Sequence, residues 1–185
     1  MNDPHGIIVF GANGSGKTTF GRELARILGF KHMDHGDYAF EESEIPYSSP
    51  RSKDECVELM LSEIERHGSF VLSAVTGDFG EKITRFYEFA VYISAPHELR
   101  IKRIGQRAND QHGDRVREGG DMYEQQVKFA NFAAARSLER IEQWAKTLVC
   151  PVISIDGAVD WRINAADTAS RFNKLIIESG CVLKC

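Results

Sequence analysis

The sequence has no long hydrophobic run and few cysteines. Its apolar stretches are short, whereas a membrane-spanning helix needs roughly 20 predominantly apolar residues. The first five residues lack the basic-then-apolar pattern of a secretory signal peptide, which predicts a cytoplasmic location. The four cysteines form no C-x-x-C pair and have no histidine at metal-ligand spacing. Reduced thiols are therefore expected, and a disulfide within the C-terminal pair is the disfavoured alternative; the cysteines are Cys56, Cys150, Cys181 and Cys185.

An excess of positive charge is also missing. The 23 basic and 27 acidic residues give a net charge of −4, which disfavours nucleic acid as a partner. The exception is the segment 100–117, which contains six basic residues and only two acidic ones. A local positive field on an acidic protein suits a polyphosphate site. The N-K-x-D motif of signalling GTPases is absent, which disfavours guanine nucleotides.

Residues 11–18 form a complete G-x-x-x-x-G-K-[ST] phosphate-binding loop between an apolar run and an amphipathic stretch. A strand, a glycine turn and a helix are the setting that this motif needs, because backbone N–H groups and the helix dipole then face the phosphates. Lys17 is expected to reach the β- and γ-phosphates, and Thr18 to offer its hydroxyl to Mg²⁺. The motif predicts a bound nucleoside triphosphate, contacted by Gly11, Ala12, Asn13, Gly14, Ser15, Gly16, Lys17, Thr18 and Thr19.

Short apolar runs alternate with helical patterns along the chain. The predicted strands are 7–10, 30–33, 70–74, 89–93 and 152–155, and their near-continuous apolar character indicates burial on both faces. The predicted helices are 16–28, a second from the capping box at Ser52, a third from Pro96, a long one from Asp121 through Trp144, and a last one over 161–178. These patterns predict one three-layer α/β/α domain over residues 1–185, with a five-stranded parallel sheet.

Two segments lack a regular pattern. Residues 41–51 combine acidic residues, prolines and serines and are expected to form a loop within a substrate-binding segment, about 38–67. Residues 109–120 are polar and contain three glycines, which predicts a mobile flap within a short lid, about 108–121. Irregular segments of this length in compact domains are usually lids or binding loops.

The order of these parts resembles the nucleoside-monophosphate-kinase-like branch of P-loop proteins, which includes adenylate, shikimate and gluconate kinases. Asp34, at the end of the second strand, matches an acidic residue of shikimate- and gluconate-kinase-like proteins, and Gly36-Asp37 looks like the Gly-Asp pair of adenylate kinases near Mg²⁺. The segment from Arg103 through Met122 also looks like that of uncharacterised adenylate-kinase-like or topology-modulation ATPases. The resemblance implies ATP and Mg²⁺ as cofactors, with Thr18, Asp34 and Asp37 at the metal.

The same resemblance assigns roles to later residues. Arg103 and Arg107, followed by Arg115 and Arg117, look like the family's lid arginines, and the last pair is expected to contact the phosphoryl group in transfer. Asp156 and Gly157 are similar to the loop beside the adenine, although a tight turn is the alternative. Apart from the resemblance, Asp78 follows the third strand at the same edge of the sheet and is expected either to bind substrate or water-bound Mg²⁺, or to cap a short helix that begins at Phe79.

The residues expected to bind the phosphoryl acceptor differ from those of adenylate kinases. Phe40 occupies the position of their acceptor-binding arginine, and the Gly-Phe-Pro-Arg element after the third strand is missing. A small hydroxylated acceptor is therefore at least as plausible as a nucleoside monophosphate. The sequence predicts an ATP- and Mg²⁺-dependent kinase for a small metabolite or nucleotide, in which Lys17, Asp34, Asp37, Arg115 and Arg117 act in catalysis. A regulatory ATPase that binds a macromolecular partner is the alternative.

Overall fold

Five parallel strands form one central sheet in the computed structural model, which describes residues 4–178. Cys181 and Cys185, which are expected to be reduced thiols, lie outside these residues. The strand order is β2-β3-β1-β4-β5, with β1 (Gly6–Phe10) in the middle. In such sheets, ligands bind at the carboxyl ends of the strands, where the order reverses. The loop that follows β1 therefore occupies the expected ligand-binding edge.

Helices cover both faces of this sheet, as the alternating pattern predicts. In chain order the elements are β1 (Gly6–Phe10), α1 (Lys17–Leu28), β2 (Lys31–Asp34), α2 (His35–Ala39), α3 (Lys53–His67), β3 (Phe70–Ala74), α4 (Glu81–Thr84), β4 (Tyr87–Ser94), α5 (His97–His112), a 3₁₀ turn (Gly113–Val116), α6 (Tyr123–Ala135), α7 (Glu139–Ala145), β5 (Val152–Asp156) and α8 (Trp161–Glu178). Within residues 4–178, no helix combines the length and apolar character needed to cross a membrane.

The pleat of β1 divides the core into two halves. Ile7 and Val9 pack with residues of α1 and α8, while Ile8 and Phe10 face α3, α4 and α7 on the other side. All five residues of β1 are buried, as are all five of β3. Continuous burial on both faces explains why these strands read as unbroken apolar runs.

The edge strands differ from the prediction of full burial. Residues of β5 alternate between exposed and half-buried, and β2 has a single fully buried residue, Met33. Only one neighbouring strand and less helix cover are available at an edge. The second strand also begins one residue later than predicted and includes Asp34, whose side chain caps α2 by accepting from the Gly36 amide.

Four local predictions differ from the structure. The long helix from Asp121 through Trp144 is two helices, because the backbone of Arg136 is extended and ends α6. Asp121 does not cap α6, which begins after Met122. The segment 109–120 is not a single irregular flap: α5 continues to His112 and a 3₁₀ turn follows it. The short helix predicted at Phe79 is α4, which starts at Glu81 after Gly80.

Gly21 lets α1 pack closely against β3. A Cβ atom at Gly21 would lie 2.4 Å from Ser73 Oγ and 3.1 Å from His32 Nε2. The Ser73 hydroxyl donates to the carbonyl of Lys17 at 3.2 Å and lies 3.1 Å from His32 Nε2. This close contact ties the first turn of α1, directly after the phosphate-binding loop, to the sheet.

We expect Gly21→Ala to destabilise the fold by about 1–2 kcal/mol, because the new methyl group displaces the Ser73 hydroxyl from its hydrogen bonds. Gly105 in α5 is the matched control, since a Cβ there meets nothing within 4 Å. Gly105→Ala should stabilise by up to about 1 kcal/mol through helix propensity alone. Urea unfolding of both variants measures these changes, and equal shifts of the same sign would contradict the packing argument.

Candidate active site

The loop after β1 has a backbone that only glycine adopts freely. Gly11, Gly14 and Gly16 have φ angles of 146°, 78° and 103°. A Cβ atom at Gly11 would lie 2.4 Å from the carbonyl oxygen of Ile93, and one at Gly14 would lie 2.3 Å from that of Arg100. The motif glycines therefore meet both a conformational and a packing requirement. The Gly16 N-cap makes no side-chain hydrogen bond, which leaves the first amides of α1 for a ligand.

Lys17 curls back over this loop. Its Nζ donates to the carbonyl of Ala12 at 2.7 Å. Desolvation lowers the pKa of Lys17 to about 7; the carboxylate of Asp34 opposes this shift, while Arg107, Arg136 and Arg100 add to it. An anion that entered the loop would restore the ammonium form, because it would balance these nearby positive charges.

Thr18 and Asp34 meet at the mouth of the loop, as the sequence predicts. The Thr18 hydroxyl donates to Asp34 Oδ2 at 2.6 Å, and the other carboxylate oxygen, Oδ1, accepts from the Gly36 amide at 3.0 Å. This pair joins the start of α1 to the end of β2. It places a hydroxyl and a carboxylate oxygen side by side at the ligand-binding edge of the sheet.

Asp37 lies one turn further, in α2, with its side chain exposed. Partial desolvation by neighbouring residues and the charge of Asp34 nevertheless raise the pKa of its carboxyl group. His35 stacks on Phe79 with 4.9 Å between the ring centroids, and burial lowers its pKa, which favours the neutral imidazole. Asp78 is exposed beside Phe79 on the same side of the sheet.

The predicted arginines of α5 separate into different environments. Arg103 reaches both the phosphate-binding loop and the loop after β5, since it donates to the carbonyls of Ser15 at 3.3 Å and Gly157 at 2.9 Å. Arg107 is exposed but close enough to influence Lys17. Arg100 is 4% exposed and packs directly under the loop.

The predicted adenine-side residues also lie beside this loop. The Gly157 amide donates to the carbonyl of Ser94 at 2.6 Å, and a Cβ atom at Gly157 would lie 2.6 Å from the carbonyl oxygen of Ser15. Asp156 turns the chain here by accepting from the amide of Ala158 at 2.8 Å. Thr19 is exposed on the first turn of α1.

Arg115 and Arg117 are not brought to the phosphate-binding loop. Arg115 forms an ion pair with Asp121, with 2.7 Å between Nη2 and Oδ2, and also donates to the carbonyl of Glu44 at 3.2 Å. Arg117 pairs with Asp114 at 2.6 Å. Both side chains are substantially exposed. Arg115 thus attaches the lid segment to the loop 40–52, between α2 and α3, whereas Arg117 makes only local contacts. Their predicted contact with the phosphoryl group would require both arginines to exchange these partners.

Arg136 is a further charged residue near Lys17, and the sequence reasoning did not single it out. It follows α6 where the chain turns toward α7, and its charge lowers the pKa of Lys17. Burial and nearby Arg140 lower the pKa of Arg136 itself, and its guanidinium lies 5.4 Å from the Phe132 ring centroid. The sequence predicts one continuous helix here, and a residue in the middle of such a helix does not stand out as a site candidate. The change from the all-alanine run 133–135 to Arg-Ser is the sequence feature that could have indicated the end of the helix.

The residues at the loop mouth fit Mg²⁺. Thr18 and Asp34 present adjacent oxygen donors, the ligand type that this ion prefers. Among residues 4–178 there is no cluster of three His, Cys, Asp or Glu side chains suited to holding a metal ion. Mg²⁺ commonly binds through one or two protein groups, with water and phosphate oxygens completing its shell. The donor set therefore suits an ion that arrives with a nucleotide.

The lowered pKa of Lys17 predicts a pH-dependent stability. The unfolded chain binds a proton at Lys17 up to about pH 10.5, whereas the folded protein releases it near pH 7. Stability should rise between these pH values by up to about 1.4 kcal/mol per pH unit. Lys17→Met should therefore be more stable than the wild type near pH 7, with the difference shrinking toward pH 10. Denaturant unfolding from pH 7 to 9.5 measures this, with Lys102→Met as an exposed control; parallel curves for wild type and Lys17→Met would contradict it.

Comparisons with known proteins agree with this geometry. A family described as "AAA domain" matches residues 7–128. A curated relative, "Uncharacterized protein YqaC" of Bacillus subtilis (strain 168), is 26% identical over 158 residues, which cover 81% of this chain and 87% of that protein.

Two solved kinase structures share the fold. The shikimate kinase of Acinetobacter baumannii, in complex with shikimate, matches with a TM-score of 0.52 and 18% identity, over 96% of this chain and 95% of its own. A gluconokinase from Sinorhizobium meliloti 1021 gives a TM-score of 0.52 and 14% identity, over 97% and 99%. The chain thus belongs to the AAA-domain family of P-loop NTPases and has the fold of the nucleoside-monophosphate-kinase-like branch.

Proposed function

We propose that this protein is an ATP- and Mg²⁺-dependent phosphotransferase that moves the γ-phosphoryl group of ATP to a small acceptor. The observation that carries the proposal is the Thr18–Asp34 hydrogen bond at the mouth of the phosphate-binding loop. It places potential metal ligands beside a loop that is surrounded by positive charge. Phosphoryl transfer needs mainly positioning and charge stabilisation, and this arrangement offers both.

The triphosphate of ATP would lie in the loop 11–18, against the free amides at the start of α1. Lys17 would leave the carbonyl of Ala12 and donate to the phosphates, which favour its charged form. Arg103 and the loop at 156–157 would border the base. The lack of a guanine motif favours adenine.

Mg²⁺, when bound, neutralises phosphate charge and holds the β- and γ-phosphates in one geometry. Thr18 would bind the ion through its hydroxyl, and Asp34 would accept from water in the ion's shell or bind it directly. Both oxygens of Asp34 already have partners in the protein. Asp37 is therefore the better candidate to accept the proton of the acceptor hydroxyl, and its raised pKa moves it toward that role.

Arg107 and Arg136 would stabilise the charge on the phosphoryl group in transfer, since both lie close enough to Lys17 to influence its pKa. The lid would exclude water from the reaction. Contacts of the lid and of the adjoining helix α6 support this role: Arg115 of the lid donates to the carbonyl of Glu44, and Gln125 of α6 donates to that of Pro46 at 3.0 Å. These bonds connect the lid to the segment expected to hold the acceptor.

The acceptor segment favours a hydroxylated molecule over a nucleoside monophosphate. Phe40 stacks edge-on against Tyr47 and offers no charge for a phosphate. Arg51, the nearest substitute, uses its Nη1 to donate to the carbonyls of Phe40 and Tyr38, the latter at 3.2 Å. The related fold of a shikimate kinase and a gluconokinase supports the same class of acceptor.

A coupled ADP-release assay with MgATP and a panel of acceptors tests this function. The panel contains sugar acids, polyols, cyclic hydroxy acids, nucleosides and nucleoside monophosphates. We expect ADP formation to depend on a hydroxylated acceptor and to fall by at least about 10²-fold in Lys17→Ala. Lys102→Met should keep the wild-type rate, because Lys102 is exposed on α5. Slow hydrolysis that no acceptor stimulates, with a macromolecule retained in pull-downs, would contradict the kinase and favour a regulatory ATPase.

Asp34→Asn tests the metal assignment. Asparagine still accepts a hydrogen bond through its carbonyl oxygen, so the cap of α2 should remain, but the negative charge is lost. We expect the Mg²⁺ concentration for half-maximal turnover to rise about tenfold or more, since a carboxylate is a far better Mg²⁺ ligand than an amide. Asp167→Asn, which alters an exposed carboxylate on α8 with no proposed role in the site, is the control. An unchanged Mg²⁺ requirement in Asp34→Asn would contradict this assignment.

A further inference from the structure

Arg100 is a buried cation without a counter-ion. Its residue is 4% exposed, and its Nε is buried with no hydrogen-bond partner. No ion pair joins it to an acidic side chain within residues 4–178. The guanidinium makes one long contact, 3.5 Å from Nη1 to the carbonyl oxygen of Asn13. A buried charge is costly unless something compensates it. Arg100 therefore calls for a negative charge that the described protein does not supply.

The surroundings of Arg100 are the outer side of the phosphate-binding loop. The closest backbone approach is at Gly14, where a Cβ atom would lie 2.3 Å from the carbonyl oxygen of Arg100. Two further polar atoms of the same loop are buried without partners: Asn13 Oδ1 and Ser15 Oγ. Three unpartnered polar groups at one loop indicate a site built for a polar ligand rather than for a packed core.

The arginines of α5 contact alternate carbonyls of this loop. Arg100 faces the carbonyl of Asn13, and Arg103 donates to that of Ser15 at 3.3 Å. In a trans peptide the C=O of one residue and the N–H of the next point in opposite directions. Carbonyls held toward α5 therefore turn the amides of Gly14 and Gly16 away from it, into the loop. Two amides on one side of a glycine-rich turn form an anion-binding concavity.

We propose that Arg100 is a positioning residue for the nucleotide: it holds the Asn13 carbonyl so that the Gly14 amide faces the triphosphate, whose negative charge compensates the buried guanidinium. This inference rests on the proposed function, because it takes the triphosphate as the ligand. Arg100 acts through the loop backbone and through its charge. It is distinct from Lys17, which would donate to the phosphates directly.

Calorimetric binding of a non-hydrolysable MgATP analogue tests the proposal on the full chain. Arg100→Met removes the charge and keeps an apolar chain of similar length, and we expect its dissociation constant to rise at least about tenfold. Arg100→Lys keeps the charge and should recover part of this loss. Lys102→Met removes a charge from the solvent side of the same helix and should bind like the wild type. Thermal unfolding checks that each variant folds, and Arg100→Gln replaces Arg100→Met if the latter has lost its cooperative transition.

A second readout separates positioning from a general effect on the fold. In ¹H–¹⁵N spectra of the nucleotide-free protein, Arg100→Met should shift the amide signals of Gly14 and Gly16 and leave that of Gly29, at the far end of α1, unchanged. In turnover assays it should raise KM for ATP with little change in kcat, because the contact is made before and during transfer alike. A structural defect would instead lower the amount of active enzyme and so reduce kcat.

Two outcomes distinguish the failure of this inference from the failure of the proposed function. If the wild type and Arg100→Met bind the analogue equally and Lys17→Ala binds weakly, Arg100 does not position the nucleotide, while the proposed nucleotide site stands. If the wild type binds neither the ATP analogue nor inorganic tripolyphosphate, the proposed function fails, and the role of Arg100 fails with it.

Discussion

The phosphate-binding loop is held by the backbones of elements distant in sequence, and the site depends on that constraint. Gly11 lies against the carbonyl of Ile93 at the end of β4, and Gly14 lies against that of Arg100 in α5. Gly157, after β5, approaches the carbonyl of Ser15. Side chains at these glycines would separate the loop from its supports. The loop is thus shaped by the sheet edge and by α5 as well as by its own dihedral angles.

The distribution of charge follows from the same packing. Because α5 runs along the outer side of the loop, its arginines lie under and beside the phosphate-binding backbone, while Arg136 approaches from the turn after α6. Asp34 is the one carboxylate that offsets the pKa shift of Lys17. An acidic protein can therefore hold a strongly positive centre. Burial chiefly, and these arginines in addition, lower the pKa of Lys17, while Arg100 has no acidic partner among residues 4–178.

The sequence was sufficient to predict the sheet, the loop and the approach of Thr18 to Asp34. These features depend on local motifs and on apolar runs, and parallel strands bring their carboxyl ends together whatever the loops contain. The partners of Arg115 and Arg117 were not predictable in this way. The number of residues between Arg115 and Asp121 does not reveal an ion pair across a turn. Arg136 was missed because the helical spacing of apolar residues continues past it, although its extended backbone ends α6. The burial of Arg100 was not predictable either. The sequence of α5 mixes polar and apolar residues, so it does not show which of its arginines faces the phosphate-binding loop.

Residues after α5 contact the loop 40–52 through main-chain carbonyls. Arg115 and Gln125 donate to the backbone oxygens of Glu44 and Pro46, and no side chain of the loop 40–52 accepts these bonds. These two contacts therefore depend on the path of that loop and not on which side chains it carries. A substitution in the loop can therefore change the side chains that it presents and still leave both backbone acceptors in place. Under the proposed function, recognition of the acceptor and exclusion of water would then be able to change independently.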